Sequence, residues 1–224
     1  MKIAGLVLAA GGGSRLGRPK AEVVVGGRRL VDLAIESCVR AGLSPVVVVL
    51  GATWLTPMPL ADSPDGEAPE VWLVENDDWA TGMASSLRAG LAALEPDAGI
   101  EDGNRAGGDA PVFTSGIGAG AVDAVAIEAV VVTLVDTPTV GEKHLRRVAA
   151  ALRGGATAAV ATYEGTARTP VGLAREVWAD VARTVVGDEG ARGWLRAHSE
   201  LVTEVECADL GRWTDIYTAD DVPD

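Results

Sequence analysis

Aromatic side chains are scarce in this chain: they make up 4% of its 224 residues, so valine, alanine and leucine must fill the core. Long apolar runs are missing too, because no window reaches the roughly 18 apolar residues that a membrane-spanning helix needs. Acidic residues outnumber basic ones, 32 against 19, which gives a formal net charge of −13. Such a charge opposes binding to nucleic acid or to an anionic membrane surface, although a small anionic ligand responds only to the local field of its cleft. We therefore expect neither nucleic acid nor a membrane among the partners.

Cysteine and histidine are also rare, at two residues each. Neither Cys38 nor Cys207 lies in a CxxC motif or a Cys/His cluster, which argues against a disulfide framework or a metal site built on them. We expect both thiols to be small core residues. His144 and His198 lie in helix-like segments without partners in the sequence, so we expect surface or capping roles. The short apolar run that precedes the first glycines does not form a secretory signal, and we expect a cytoplasmic protein.

Strand-like and helix-like segments alternate along the chain. Uninterrupted apolar runs, such as 45–50 and 130–135, are typical of strands buried on both faces of a parallel sheet. Segments with helical spacing lie between them. The predicted strands are 3–10, 45–50, 71–74, 130–135, 156–162 and 201–205, and the predicted helices are 29–41, 85–94, 143–152, 175–185 and 189–197. This alternation predicts an α/β fold with a mainly parallel sheet covered by helices on both faces.

The length suits one domain, and we expect residues 1–224 to form it. Two stretches lack periodicity. Residues 52–69 carry four prolines and are predicted to be a loop. Residues 96–124 are dominated by glycine, alanine and aspartate. A long stretch of that composition is typical of a mobile insertion or a functional lid, and we favour the mobile insertion.

The first apolar strand runs directly into the glycines Gly11–Gly13, and the cations Arg15 and Lys20 follow in the same loop. Glycines let backbone N–H groups close around a polyphosphate, which the cations would neutralise. Asp136 follows another apolar strand. Ligands of parallel α/β sheets bind beyond the carboxyl ends of the strands. The glycine loop and Asp136 are therefore expected to meet in one crevice, although the sequence places them far apart.

Three kinds of phosphate-binding loop compete for this segment. A Walker A loop, GxxxxGK[ST], fails because Arg18 and Pro19 stand where Lys and Ser/Thr are required. A dinucleotide-binding GxGxxG turn fails because Leu16 takes the place of the third glycine and the second strand ends without an acidic residue. A nucleotidyltransferase loop, AAGxGxRMGxPK, matches residues 9–20 with Leu16 in place of Met. The arginine and the Pro-Lys pair make this match more specific than the glycines alone.

Three further segments resemble motifs of one family. Residues 76–87 are similar to NPxWxxGMxxSL, residues 134–138 to LxDQP, and residues 187–192 to GDxGAR. With the glycine loop, these motifs occur in order over nearly the whole chain. The chain thus resembles the molybdenum-cofactor-type nucleotidyltransferases, most closely their molybdopterin cytidylyltransferase branch. This resemblance implies a Rossmann-like three-layer fold with a mixed, mostly parallel sheet, and the use of Mg²⁺.

The resemblance also implies a reaction, the transfer of a nucleoside monophosphate. A phosphate oxygen of the acceptor attacks the α-phosphorus of an NTP, and pyrophosphate leaves. Arg15 would neutralise the leaving pyrophosphate, and Lys20 the α-phosphoryl oxygens. Asp136 would hold Mg²⁺, although an aspartate before Thr-Pro also suits a helix cap or a turn. Asp215 is a second candidate metal ligand, because Tyr217 stands where the family has a metal-binding Asp or Asn.

The other expected site residues divide into a nucleotide side and an acceptor side. The nucleotide side comprises Leu8, Ala9, Ala10, Gly11, Gly12, Gly13, Ser14, Asn76, Gly82, and Ser85 or Ser86. The acceptor side comprises Arg168, Pro170, Asp188, Gly190 and Arg192. Its two arginines would clamp a phosphate, but Arg192 could instead pair with a neighbouring acid. Trp79 and Met83 are expected in the core or the site wall, and Ala10 favours CTP over GTP because guanylyl enzymes tend to carry glycine there.

The expected partners are CTP or another NTP and a phosphorylated acceptor such as molybdopterin, with a molybdoenzyme or its insertion chaperone as a candidate docking partner. Arg168-Thr169 replaces the Gly-His or Gly-Asn that precedes this proline in the family. One alternative therefore keeps the transferase and changes the acceptor to a sugar phosphate or another small phosphorylated molecule. The other alternative is a catalytically weak, nucleotide-binding regulatory protein, which Tyr217 and Thr137 motivate because they depart from the family motifs.

Overall fold

The elements of the fold follow the predicted alternation. The computed structural model describes residues 1–60, 64, 66, 68–95, 100–101, 104–105, 112–114, 126–216, 218 and 221. Its strands are β1 (Ile3–Leu8), β2 (Val24–Val25), β3 (Arg28–Arg29), β4 (Val46–Leu50), β5 (Val71–Glu75), β6 (Ile100–Glu101), β7 (Asn104–Arg105), β8 (Val112–Thr114), β9 (Ala129–Leu134), β10 (Ala158–Tyr163), β11 (Thr166–Ala174) and β12 (Val202–Glu206). Its α-helices are α1 (Leu30–Arg40), α2 (Met83–Ala93), α3 (Glu142–Arg153), α4 (Trp178–Thr184) and α5 (Arg192–Ala197). Every predicted strand and helix is present, with its ends shifted by at most a few residues.

Eight of the described strands form one sheet in the order β12-β10-β11-β9-β1-β4-β5-β8. The four strands β9, β1, β4 and β5 are parallel neighbours, as are β12 and β10. β11 is antiparallel to β10 and β9, and β8 is antiparallel to β5. The sheet is therefore mixed and mostly parallel, with its longest parallel block at the centre. The expected fold class is confirmed.

Helices cover both faces of this sheet because the strand side chains alternate between them. On β1, Ile3 and Val7 face a core layer that contains α1 and α3. Leu6 and Leu8 face a second layer that contains α2, α4 and α5. Both layers consist mainly of valine, alanine and leucine, with Trp178 the largest fully buried side chain. Among the described helices, none has both the length and the apolar composition to cross a membrane.

Sequence reasoning missed β11, the antiparallel strand between β10 and β9. Pro170 and Gly172 interrupt any strand-like pattern there, and proline has no N–H to donate to a sheet. The structure accommodates Pro170 at an irregularity: Val160 pairs with Val171, but the next residue, Ala161, pairs with Arg168. Proline is tolerated at such a bulge because the extra residues are unpaired.

The stretch 96–124, expected to be a mobile insertion, contains described residues only in three short strands. β6 and β7 form a small antiparallel pair, and β8 adds to the edge of the main sheet beside β5. The stretch therefore includes strands, which its composition did not indicate. Its other residues lie outside the described part of the chain, and its mobility stays a prediction.

The cysteines and His144 have the structural roles that were expected. Cys38 and Cys207 are free thiols and fully buried, and burial raises the pKa of Cys38 to about 12. His144 is also buried, and its Nδ1 accepts a hydrogen bond from the Gly141 N–H at the start of α3. Burial lowers the pKa of His144, which favours the neutral, capping form.

An ion pair at the start of α1 fixes the loop that follows β4. Asp32 is 1% exposed, and its carboxylate accepts two hydrogen bonds from the Arg29 guanidinium, at 2.6 and 3.0 Å. Asp32 also accepts from the Met58 N–H at 3.0 Å, while Arg29 donates to the Thr56 carbonyl at 2.8 Å. The carboxylate holds the guanidinium in its charged form, and this raises the pKa of Arg29. The pair thus ties residues 56–58 to the helix.

Replacing Asp32 with alanine should lower the free energy of unfolding by about 3 kcal/mol, because it leaves the Arg29 charge and the Met58 N–H without their buried acceptor. Urea unfolding followed by circular dichroism measures this. Glu142→Ala is the control, since Glu142 forms only a surface ion pair at 3.8 Å and should cost at most about 1 kcal/mol. Equal losses for the two variants would contradict the assigned role of Asp32.

Candidate functional site

The segments that follow β1 and β9 lie side by side. The two strands are parallel and in register, with Leu8 opposite Leu134. The pairing continues past the strand ends, since the Val135 N–H donates to the Leu8 carbonyl at 3.2 Å. On the other side of β1, the Ala52 N–H donates to the Ala10 carbonyl at 3.0 Å. The chain therefore leaves β1 directly beside the position of residue 136.

The loop after β1 folds back on itself at Gly13. This residue has φ +59°, and a β-carbon on it would lie 2.0 Å from the Arg18 carbonyl oxygen, so only glycine fits. The Gly13 carbonyl accepts hydrogen bonds from the N–H groups of Leu16 and Gly17, at 2.8 and 2.9 Å. In the part of the chain that the structure describes, the N–H groups of Gly11–Ser14 donate to no protein acceptor. They are available to an anion, as in other N–H nests.

The fold-back carries Lys20 to Asp136. Lys20 Nζ lies 2.5 Å from Asp136 Oδ2, and the two side chains are 19% and 18% exposed. Asp136 Oδ1 is buried and has no hydrogen-bond partner among the described residues. A buried carboxylate oxygen without a partner is costly unless a ligand or an ion satisfies it. The pair therefore leaves one carboxylate oxygen unsatisfied, and a cation bound there would satisfy it.

A cavity of about 300 Å³, here called the glycine-loop cavity, opens over this ion pair. It is lined by Leu8, Ala10, Gly11, Gly12, Gly13, Lys20, Trp79, Ala80, Gly82, Met83, Ser86, Leu134, Val135, Asp136 and Asp188. Trp79 forms one wall and packs directly on two glycines. A β-carbon on Gly12 would lie 3.0 Å from the Trp79 ring, and one on Gly51 would lie 2.5 Å from Trp79 Cβ. Larger residues at these two positions would displace the wall.

Several residues that the sequence assigns to the nucleotide side do not line this cavity. Ala9 is 1% exposed and points into the core layer under α1 and α3. Ser14 and Arg15 are exposed on the outer part of the loop. The structure therefore brings Lys20 and Asp136 together but keeps Arg15 outside the cavity lining. The role assigned to Arg15 stays a prediction.

Asn76 and Ser85 lie behind the cavity wall in a buried hydrogen-bond network. Asn76 Nδ2 donates to Ser85 Oγ at 2.9 Å and to Ser86 Oγ at 3.0 Å. Asn76 Oδ1 accepts from the Asp78 N–H at 3.1 Å, and Ser85 Oγ donates to the Asp78 and Gly82 carbonyls. The Asn76 amide is thus occupied by the protein itself. Its geometry suits a residue that positions Trp79 and the start of α2 rather than one that contacts a ligand.

The turn Gly187–Glu189 packs on the N-terminus of α2. Asp188 Oδ1 accepts a hydrogen bond from the Met83 N–H at 3.2 Å, in the first turn of the helix. A carboxylate in this position also interacts favourably with the helix dipole. Gly82 has φ +114°, and a β-carbon there would lie 2.6 Å from Gly187. Asp188 therefore lines the glycine-loop cavity, although the sequence assigns it to the acceptor side.

A larger cavity of about 450 Å³, here called the apolar cavity, adjoins the first and shares Leu8, Met83 and Leu134 with it. Its other lining residues are Leu87, Val132, Val160, Ala167, Arg168, Thr169, Val171, Glu189, Gly190, Ala191, Arg192, Leu195, Arg196, Ser199, Val202 and Glu204. Aliphatic side chains from the sheet form its floor, whereas the charged residues come from β11, β12 and the region around α5. Pro170 is buried beside it without lining it.

The arginines of the apolar cavity differ in their partners. Arg192 has no carboxylate within ion-pair distance among the described residues, whereas Arg196, one turn further along α5, pairs with Glu189 at 2.7 Å. Arg168 stacks on the Trp213 ring, with its guanidinium carbon 5.0 Å from the ring centroid. Sequence reasoning named neither Arg196 nor Trp213. The helical spacing from Arg192 could have indicated Arg196, but nothing in the sequence places Trp213 beside Arg168.

The residues present fit a divalent cation at Asp136. Carboxylate oxygen is a ligand that Mg²⁺ prefers, and Mg²⁺ usually takes one or two protein carboxylates together with phosphates and water. The backbone next to Asp215 lies close to that of Asp136, because the Ile216 N–H donates to the Asp136 carbonyl at 2.9 Å. The described residues contain no group of three metal-ligating side chains, so these side chains alone do not complete a coordination shell. Tyr217 lies outside the described residues.

The family model of the MobA-like NTP transferase domain matches residues 5–202. This match spans most of the chain and includes the glycine loop, Asp136 and both arginines of the predicted acceptor side. The matched segment extends from β1 to the start of β12, so the match is not confined to the residues of the two cavities.

The chain is 30% identical to a nicotine blue oxidoreductase from Paenarthrobacter nicotinovorans, over 97% of this chain and 93% of that protein. Its fold is similar to the crystal structure of a homologue of Mycobacterium tuberculosis Rv0371c from Mycobacterium sp. strain JC1, with a TM-score of 0.66 and 24% identity over 99% of this chain and 94% of that one. It is also similar to molybdopterin-guanine dinucleotide biosynthesis protein A from Archaeoglobus fulgidus, with a TM-score of 0.57 and 16% identity over 99% and 95%. These two likenesses concern the fold.

Replacing Gly13 with alanine should weaken binding of inorganic tripolyphosphate at least about tenfold, because the left-handed φ and the Arg18 carbonyl both exclude a β-carbon. Isothermal titration calorimetry measures this. Gly26→Ala is a matched control, since Gly26 has φ +56° but an open space around a β-carbon, and it lies in the turn between β2 and β3. Tripolyphosphate affinity that is unchanged in Gly13→Ala would show that the loop does not bind the anion.

Proposed function

We propose that this chain, which belongs to the family of MobA-like NTP transferase domains, is a Mg²⁺-dependent cytidylyltransferase. In this proposal it moves CMP from CTP to the terminal phosphate of a molybdopterin-type cofactor and releases pyrophosphate. Membership of the family supports the transferase and an NTP substrate. The proposed nucleotide, acceptor and metal rest on residues of the two cavities.

One observation carries the proposal: the ion pair between Lys20 and Asp136 beside the glycine loop. The contact of 2.5 Å joins two segments that are far apart in the sequence, and it does so inside a cavity. The loop supplies N–H groups for phosphate oxygens, the lysine supplies a positive charge, and the carboxylate supplies an oxygen for a cation. Triphosphate binding needs these three kinds of group together.

The chemistry requires positioning and charge stabilisation rather than a protein nucleophile. A phosphate oxygen of the acceptor forms a bond to the α-phosphorus, and the bond from that phosphorus to the bridging oxygen of pyrophosphate breaks. Lys20 would neutralise the α-phosphoryl oxygens, and the N–H groups of Gly11–Ser14 would hold the triphosphate. Arg15, exposed on the same loop, would reach the pyrophosphate after a rearrangement of its side chain.

Asp136 would hold Mg²⁺ through Oδ1, which has no hydrogen-bond partner among the residues that the structure describes, with Asp215 as a second candidate ligand. When bound, Mg²⁺ would offset the negative charge of the phosphates and align them. The unsatisfied Asp136 Oδ1 supports this assignment. In an aspartate that is solvated or purely structural, both carboxylate oxygens would be hydrogen-bonded to water or to protein.

Ala10 supports the choice of CTP. It is 4% exposed and lines the glycine-loop cavity, so the methyl group occupies space where a guanylyl enzyme of the family tends to have glycine. The extra carbon favours a smaller base. GTP is the alternative nucleotide.

The apolar cavity is the proposed acceptor site. It adjoins the glycine-loop cavity through Leu8, Met83 and Leu134, so an acceptor in it would face the α-phosphate. Arg168 and Arg192 would bind its phosphate, and the aliphatic floor would contact the flat faces of a ring system. A sugar phosphate or another small phosphorylated molecule is the alternative acceptor.

An oxidoreductase is a second candidate function. The relative from Paenarthrobacter nicotinovorans, which bears that name, is 30% identical over 97% of this chain. In this case the aliphatic floor of the apolar cavity would hold the oxidised substrate, and a reduced pyridine dinucleotide in the adjoining cavity would supply hydride. The first loop does not match a dinucleotide-binding GxGxxG turn, which favours the transferase.

The decisive experiment assays pyrophosphate release from CTP, GTP, ATP and UTP, each with molybdopterin or with sugar phosphates, in the presence of Mg²⁺. CTP with molybdopterin should give the fastest release, and the product should be molybdopterin cytosine dinucleotide. Parallel reactions with NADH or NADPH and nicotine blue test the second candidate by the loss of absorbance at 340 nm. Binding of CTP without release of pyrophosphate in any combination would favour the regulatory alternative.

Lys20→Ala and Asp136→Asn should each lower kcat/KM by about 10²–10³, because each removes charge from the site of the developing transition state. Steady-state pyrophosphate release measures this. Lys143→Ala is the control, because Lys143 is exposed on α3 and away from both cavities, and its activity should equal that of the wild type. Full turnover in either site variant would remove that residue from the proposed mechanism.

A further inference from the structure

The two oxygens of the Asp136 carboxylate are in different situations. Oδ2 accepts the Lys20 ammonium at 2.5 Å, while Oδ1 is buried without a hydrogen-bond partner among the described residues. The lysine therefore occupies one of the two carboxylate oxygens, and its positive charge opposes a cation at the other. The same lysine is turned toward Asp136, while the nearby N–H groups of Gly11–Ser14 donate to no acceptor in the described part of the chain.

We infer that Lys20 blocks the metal site in the empty protein and that metal and triphosphate bind synergistically, because each removes one partner of the same ion pair. This inference rests on the proposed function, which supplies the metal and the triphosphate. A triphosphate in the glycine loop draws the ammonium toward its oxygens and uncovers Asp136. A divalent cation on Asp136 in turn repels Lys20 toward the phosphates.

The composition of the site gives this coupling its strength. Among the described residues no cluster of three metal-ligating side chains exists, so a metal ion alone depends on Asp136 and on its nearest neighbours. Asp188, the other carboxylate that lines the glycine-loop cavity, already accepts a hydrogen bond from the Met83 N–H. A competing ammonium on Asp136 is therefore a large obstacle to a metal ion that arrives without a nucleotide.

Reciprocity makes the coupling measurable from either side. If the nucleotide raises the affinity for the metal by some factor, the metal raises the affinity for the nucleotide by the same factor. The ion pair is mostly buried and charge-assisted, so we expect a factor on the order of ten or more.

The test uses Mn²⁺ as the probe, because it takes the same oxygen ligands as Mg²⁺ and its free ion is counted by electron paramagnetic resonance. In the absence of nucleotide, Lys20→Met should bind Mn²⁺ about tenfold more tightly than the wild type. Lys20→Arg keeps the positive charge and should bind as weakly as the wild type. Lys143→Met is the control for removing a lysine from the surface, and it should leave the Mn²⁺ affinity unchanged.

Two further measurements separate blocking from a merely structural role of Lys20. Adding Asp136→Asn to Lys20→Met should abolish the gain in Mn²⁺ affinity. Mn²⁺ should raise the melting temperature of Lys20→Met more than that of the wild type, because the metal replaces the lost cation. A lysine that only stabilises the fold would give a lower melting temperature without this metal-dependent recovery.

The wild type provides an independent test if Lys20→Met does not fold. Its affinity for α,β-methylene-CTP, which cannot be turned over, should gain at least about tenfold more from EDTA to saturating Mn²⁺ than that of Asp136→Asn, because the complex of metal and nucleotide in solution is the same for both proteins. Equal gains in these two proteins, or equal Mn²⁺ affinities of the wild type and Lys20→Met, would overturn the inference. Absence of pyrophosphate release would count against the proposed function alone, because none of these binding measurements depends on turnover.

Discussion

The parallel, in-register pairing of β1 with β9 is the constraint on which the site depends. It aligns the ends of the two strands. The glycine loop, which follows β1, therefore begins beside Asp136, which follows β9. A slip of the register would reverse which face each side chain occupies and would carry Asp136 away from the loop. The buried valines and leucines of both core layers fix this register, so the packing of the sheet determines the geometry of the ion pair.

Glycines allow the close backbone approaches that form the binding surface. Gly13 allows the loop to return on itself, while Gly12 and Gly51 let the Trp79 side chain lie close to the backbone. The buried amide of Asn76 then holds the segment that carries Trp79 against the start of α2. The glycine-loop cavity is thus built from close backbone approaches supported by one buried polar network, and the aliphatic apolar cavity lies directly behind it.

The sequence predicts the order of the elements and the meeting of the glycine loop with Asp136, because hydrophobic pattern and strand ends determine both. It does not predict β11, since Pro170 and Gly172 interrupt the strand-like pattern there. Hydrogen bonds to β10 and β9 on either side hold this segment as a strand. The sequence also does not predict which way side chains point. Asn76 and Ser85 have the residue types of a ligand site, yet they turn inward because each satisfies the other. Trp213 meets Arg168 only through the path of the C-terminal segment.

The segment 213–216 links the two cavities. The Ile216 N–H donates to the Asp136 carbonyl, and the Trp213 ring stacks on the Arg168 guanidinium, so one short segment contacts a residue of each cavity. Local opening of this segment would disturb the surroundings of Asp136 and of Arg168 at the same time, while the central strands stay paired. The protein would then lose both binding surfaces before the sheet itself unfolds.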